Sequence, residues 1–291
     1  MNTPFTELKN SAFEEKRIRL FIKREDLNHQ EISGNKLWKL RYNIEEAIRL
    51  GNNKLLTFGG AYSNHIYATA SAAKEAGLES IGVVRGEETL PLNSTLSFAR
   101  DKGMHLHYVS RTAYKEKTDD QFIQTLIKEF GKFYLIPEGG TNDFAIKGCA
   151  EFAKHLLADN EFDYVCLPVG TGGTIAGMIV GLDGKNEVLG VSVLKDGNFL
   201  KRKIDELIEN YSDRKFTNWS LLTSYDHGGY AKTTPQLTKF ISEMREQYNI
   251  PLDHVYTGKL VWAVMEEIKK GRFKKNSSIL ILHTGGLQGV N

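Results

Sequence analysis

The chain has 291 residues, 41% hydrophobic and 25% charged, the balance of a globular protein with room for one large α/β unit or two lobes sharing a cleft. Its 38 basic and 36 acidic residues leave a net charge of +2, and no long basic run argues for nucleic acid. The two cysteines, Cys149 and Cys166, stand in apolar stretches outside any metal-ligand spacing, which predicts buried thiols, no metal and a reducing compartment.

The first ten residues are polar and lack the apolar core of a signal peptide, and no apolar run is long enough to span a bilayer. A cytoplasmic protein without membrane contact is the expectation. In chain order, Ser33-Gly34-Asn35-Lys36 opens the first long helical pattern. Leu37, Leu40, Ile44, Ala47 and Ile48 share one face up to Leu50, and Gly51 supplies the stop. Ser33 or Asn35 is the expected N-cap. Lys36 then sits in the first turn, where a cation opposes the helix dipole; this lowers an amine's pKa, as a nucleophilic lysine requires. That signal is weak alone, because most lysines are solvated.

A strand is predicted at 55–58, running into Gly59-Gly60, and an alanine-rich helix from Asn64 to Ala76, stopped by Gly77. Ser63-Asn64 has the character of its cap. Further strands are predicted at 80–84, 133–136, 164–169, 188–194 and 279–282, with helices at 147–158 and 235–247. Strands alternating with helices predict a mainly parallel sheet. No repeat or low-complexity linker interrupts the pattern.

After the 164–169 strand comes Gly170-Thr171-Gly172-Gly173-Thr174, opening a helix. Glycines let backbone N–H groups converge, the helix start adds positive potential, and the Thr171 and Thr174 hydroxyls add donors, so the segment predicts a phosphate site. It has neither a Walker lysine nor the acidic partner of a dinucleotide site. A phosphate monoester fits better than a nucleotide.

Taken together these residues resemble a known family. Lys23-Arg24-Glu25-Asp26-Leu27 with Gly34-Asn35-Lys36 and Lys39-Leu40 resembles the opening of the pyridoxal-phosphate (PLP) enzymes of the tryptophan synthase β-like fold. Gly59-Gly60-Ala61-Tyr62-Ser63-Asn64-His65 resembles a segment of the 1-aminocyclopropane-1-carboxylate (ACC) deaminase / D-cysteine desulfhydrase family. The 170–174 loop is similar to its phosphate cup, and Val255-Tyr256-Thr257-Gly258-Lys259 and His283-Thr284-Gly285-Gly286 to its two C-terminal active-site segments. All five follow the family's order.

The resemblance implies a fold and a set of roles. The fold is α/β, fold type II: two lobes of parallel open sheet with flanking helices, residues 1–39 and 146–291 forming the large PLP-binding domain and 40–145 a small inserted one. PLP lies between them, on Lys36 as a Schiff base, and homodimers are usual. Lys36 carries protons, Ser63 meets the substrate carboxylate, and Asn64 bonds the ring O3′. Gly170, Thr171, Gly172, Gly173 and Thr174 hold the phosphate. Thr284 approaches the ring nitrogen, Tyr256 stands beside the substrate, and His65 and Thr257 join the substrate pocket. Each has a local reading too: Ser63 as a cap, His65 and Tyr256 as packed side chains, Thr257 and Thr284 as strand residues.

The resemblance also bears on the reaction. ACC deaminases carry an acidic residue directly after the active-site tyrosine and a leucine at the position of Thr284; D-cysteine desulfhydrase-like members carry hydroxyl residues at both. Thr257 and Thr284 therefore imply α,β-elimination, D-cysteine giving pyruvate, hydrogen sulfide and ammonia. ACC deamination and amino-acid racemisation are alternatives on the same scaffold. The stretch 224–232 follows the family's pattern only in part, which leaves the small amino-acid substrate open. A non-catalytic PLP-fold binder is the alternative from another class, motivated by the chain's shortness within the family.

Overall fold

The computed structural model describes residues 3–156 and 161–289. The chain starts with an antiparallel pair, β1 (Phe5–Leu8) and β2 (Arg19–Lys23). It then builds a separate sheet from β3 (Lys54–Gly59), β4 (Glu79–Arg85), β5 (Met104–Val109) and β6 (Tyr134–Ile136). It returns to the first sheet with β7 (Tyr164–Val169), β8 (Glu187–Ser192), β9 (Trp219–Leu222) and β10 (Ser278–Leu282). The six-stranded sheet has the order β1-β2-β10-β7-β8-β9 and the four-stranded sheet β5-β4-β3-β6. Every pairing except β1–β2 is parallel. The near-continuous burial of β7, β8 and β10 is what a sheet covered on both faces demands.

The helices are α1 (Ser11–Glu15), α2 (Asn35–Arg49), α3 (Asn64–Glu75), α4 (Ser94–Asp101), α5 (Asp120–Phe130), α6 (Asp143–Leu156), α7 (Gly173–Leu182), α8 (Phe199–Tyr211), α9 (Pro235–Tyr248) and α10 (Thr257–Lys269). The helix predicted at 147–158 starts earlier, at Asp143; Leu157 and Ala158 lie outside the described residues. The N-cap of α2 is neither Ser33 nor Asn35 but Gly34, at φ 70°, with no side-chain cap. The reason is steric: a Cβ on Gly34 would run into the Thr284 carbonyl. The tyrosine segment 255–259 leads into a helix, α10, rather than a strand.

In each sheet the chain reverses its direction of growth once. β7, β8 and β9 advance one way and β10 lies on the other side of β7; β3, β4 and β5 advance one way and β6 lies on the other side of β3. A parallel sheet opens a crevice at such a point, outside the carboxyl ends of its strands. Here the crevices are bounded by the loops after β7 and β10 in one sheet and after β3 and β6 in the other. They come together because α2, α6 and α7 pack unusually closely. Gly148 of α6 sits where any Cβ would strike the Trp38 carbonyl, and a Cβ on Gly177 of α7 would lie 2.7 Å from the Ile146 carbonyl.

Candidate active site

The loop after β7 forms a cup. Gly172 takes φ 92° and caps α7 without a side chain, so the first-turn N–H groups of that helix point into the crevice. Thr171 Oγ1 lies 2.6 Å from Thr141 Oγ1, and Asn35 Nδ2 donates to Thr174 Oγ1 at 2.8 Å. The cup is thus pinned by residues of both neighbouring crevice walls. Gly170 faces Tyr256: a Cβ there would lie 3.3 Å from the tyrosine ring.

Two lysines converge on the cup from the first turns of α2. Lys36 donates to Asn35 Oδ1 at 3.2 Å, and burial of its amine pushes its pKa down to about 8. Lys39 is 2% exposed, donates to the Gly139 carbonyl and, at 3.1 Å, to Thr141 Oγ1. A Cβ on Gly173 would sit 3.2 Å from its Nζ. Burial, then the Lys36 charge, holds Lys39 at about 7. The group favouring the charge of both amines is a thiol, Cys149, itself pushed up to about 11 by burial. Two buried amines beside a cup of N–H donors call for an anion. Lys39 was visible in sequence only as part of the Lys39-Leu40 motif; its spacing of three from Lys36 puts both on one face of a helix.

Across the crevice, the loop after β3 delivers Ser63, Asn64 and His65. Ser63 Oγ accepts from the His65 and Ile66 amides, both at 3.2 Å, capping α3 and leaving its own proton to donate elsewhere. Asn64 Oδ1 accepts from Gln288, so its amide N–H groups face Gly286. His65 is 3% exposed and packs against Gly140, with Nε2 2.8 Å from Thr57 Oγ1. Because Thr57 gives its proton to the Ile136 carbonyl, His65 donates through Nε2 and is neutral. Burial, then the Lys36 and Lys39 charges, keeps its pKa well below 6.5. His65 thus packs behind the Gly139–Gly140 turn with Nε2 engaged by Thr57 and Nδ1 without a protein partner among the described residues.

Tyr256 heads α10, and its ring meets that of Tyr230 edge-on at 6.0 Å. Burial, then Tyr230, raises its pKa well above the usual phenol value, so it is a neutral donor. Thr257 is 1% exposed; its hydroxyl donates to Asp253 Oδ2 at 2.6 Å and accepts from the Asp253 amide at 2.9 Å. Its hydroxyl, engaged by Asp253 as both donor and acceptor, supports the Tyr256 loop. Asp253 completes that support by accepting from the amides of Val255, Tyr256 and Thr257. Thr284, just past β10, is partly buried and accepts from the Asn35 amide through its carbonyl at 3.3 Å.

A reactive amine, a phosphate cup and a second buried cation, gathered where two sheets reverse, define an enzyme site for a phosphorylated cofactor that condenses with lysine. The sequence model of the pyridoxal-phosphate dependent enzymes matches residues 1–285. A putative ACC deaminase of Pyrococcus horikoshii is 32% identical over 283 residues, 93% of this chain and 85% of the relative. A protein of Arabidopsis thaliana named bifunctional D-cysteine desulfhydrase/1-aminocyclopropane-1-carboxylate deaminase, mitochondrial, is 32% identical over 295 residues, 93% of this chain and 73% of that one. A crystal structure of an ACC deaminase homologue superposes with a TM-score of 0.88 at 29% identity, covering 99% and 90% of the two chains. The chain belongs to the PLP-dependent enzymes of the ACC deaminase / D-cysteine desulfhydrase family, with the tryptophan synthase β-like, type II fold.

Proposed function

We propose that the enzyme is a lyase that performs α,β-elimination on a small amino acid, D-cysteine foremost, yielding pyruvate, hydrogen sulfide and ammonia. The observation that carries the cofactor part of this reading is the pair of buried amines at the cup, with Lys36 held near pKa 8 and Lys39 near 7. Lys36 is the residue to bind the cofactor carbonyl; Lys39, with Gly170, Thr171, Gly172, Gly173 and Thr174, is the set to bind its phosphate. Bound PLP supplies the electron sink for the pair left at the substrate α-carbon. Once the substrate's amino group takes its place at the cofactor carbonyl, the freed Lys36 amine, lowered towards 8 by burial, would take the α-proton. The C–S bond then breaks, and the sulfur leaves with its electron pair. Hydrolysis of the remainder gives pyruvate and ammonia.

The Ser63 hydroxyl proton and the Asn64 amide, at the start of α3, are placed to hold the substrate carboxylate and the ring oxygen. Tyr256, beside Gly170, is the residue proposed to stand next to the substrate. Thr284 is assigned to the ring nitrogen, and hydroxyl residues at both Thr257 and Thr284, where ACC deaminases carry an acidic residue and a leucine, support elimination over cyclopropane opening. ACC deamination is the second reading, favoured by the names of the relatives. Purified protein supplied with PLP is expected to release sulfide from D-cysteine with a kcat/KM about tenfold or more above that for ammonia release from ACC. The reverse ranking rejects the substrate and keeps the cofactor.

The proposal includes lobes at 1–39 with 146–291 and at 40–145, whose bounds fall within α2 and α6. It includes a homodimer and a cytoplasmic location. Among the described residues no helix is long and apolar enough to cross a membrane.

A further inference from the structure

Lys259 has no part in the site described so far, yet it occupies an expensive position. It is 0% exposed and is the third residue of α10, where the helix dipole opposes a cation. Its amine donates to the Gly229 carbonyl at 2.7 Å. Burial pushes its pKa down to about 8, against the attraction of Asp226 and Asp253.

Those two aspartates head two turns. Asp226 Oδ1 accepts from the Gly228 amide at 2.6 Å, and the Asp226 carbonyl accepts from the Gly229 amide at 3.0 Å. Asp253 organises the turn into α10. Tyr230 leaves the first turn and Tyr256 ends the second, and the two rings meet edge-on, 6.0 Å apart. The first turn is held against its own preferences: His227 at φ 49° and Ala231 at φ 57° are in the left-handed region, with Gly228 and Gly229 at 96° and 106°. Non-glycine residues there cost of order 1 kcal/mol each and persist only where contacts impose them. His227 supplies a second contact, its ring edge-on to Trp262 of α10 at 5.5 Å.

We infer that Lys259 is a positioning residue for the substrate: it ties the Tyr230 turn to the head of α10 and so fixes the Tyr230–Tyr256 pair against the phosphate cup. The inference rests on the reading that Tyr256 stands beside the substrate. Two tyrosines from different turns can present one surface only if the turns share a fixed point, and the buried ammonium is that point. The tethered stretch, 224–232, is one that follows the family's pattern only in part.

The test is Lys259→Met in the full chain with PLP bound. The variant keeps the apolar volume and removes the donor. Expected are a KM for D-cysteine raised about tenfold or more, PLP affinity within about threefold of the parent, and amide exchange in 225–234 about tenfold faster with 170–177 unchanged. A merely structural role lowers the folded fraction, hence apparent kcat, speeds exchange in both stretches and leaves KM alone; that result overturns the inference. So does parental exchange in 225–234. Should D-cysteine not react, exchange alone decides: faster exchange confined to 225–234 upholds the tether while the substrate reading fails. If the methionine variant does not fold, Asp226→Ala releases the same turn from its exposed end, and an unchanged KM alongside faster exchange overturns the link between turn and substrate.

Discussion

A lysine buried beside another lysine is unstable as a pair of cations, and Lys36 and Lys39 show how the strain is divided. Both amines are depressed by burial, and Lys39 further by its neighbour. A lysine whose folded pKa lies below its unfolded value of about 10.5 binds fewer protons when folded, so stability climbs with pH between the two values. For cofactor-free protein, urea unfolding at pH 7.0 and pH 8.5 is predicted to show greater stability at the higher pH, about 1 kcal/mol or more of the gain disappearing in Lys39→Met. An equal gain in parent and variant would show that Lys39 is not depressed. The same substitution is predicted to weaken PLP binding about thirtyfold or more, measured by equilibrium dialysis, because a buried charge-assisted contact with the phosphate is lost.

Among the elements, α2 is joined closely to the end of β10. Gly34 has φ 70° and its missing Cβ is replaced by the Thr284 carbonyl, which also accepts from Asn35. Gly34→Ala therefore combines backbone strain with a clash, and a loss of about 2 kcal/mol or more in urea unfolding is predicted. A loss under about 0.5 kcal/mol would mean that α2 and Thr284 are not rigidly joined. This junction also marks the limit of what the sequence discloses. The helices after Lys36 and Asn64 were legible because their apolar spacing and glycine stops are local. The cap of α2 was not, because the choice of Gly34 over Asn35 is made by a strand end about 250 residues away in sequence. Asn35 instead turns to Thr174. β2 and β9 escaped notice because their partners, β10 and β8, and not an alternating pattern of their own, define them. For His65 and Thr257, motif order locates a residue near a site, and only the structure shows the hydrogen bonds to Thr57 and Asp253 that engage their donors.

At the scale of the molecule, the site exists because two parallel sheets each reverse once and the reversals face each other. The six-stranded sheet contributes the phosphate cup and Thr284, the four-stranded sheet contributes Ser63, Asn64 and the Gly139–Gly140 turn, and α2 carries both lysines between them. Glycines at helix crossings bring α6 and α7 close enough for Thr141 to reach Thr171. The proposed function gives one lysine to the cofactor carbonyl and the other to its phosphate, although the two are only three residues apart and both are depressed in pKa. The most direct test of that division is to incubate the protein with PLP, reduce it with borohydride and map the modified peptide by mass. Cofactor mass on Lys36 alone is predicted; cofactor mass on Lys39 or Lys259, or on no lysine, would contradict the account.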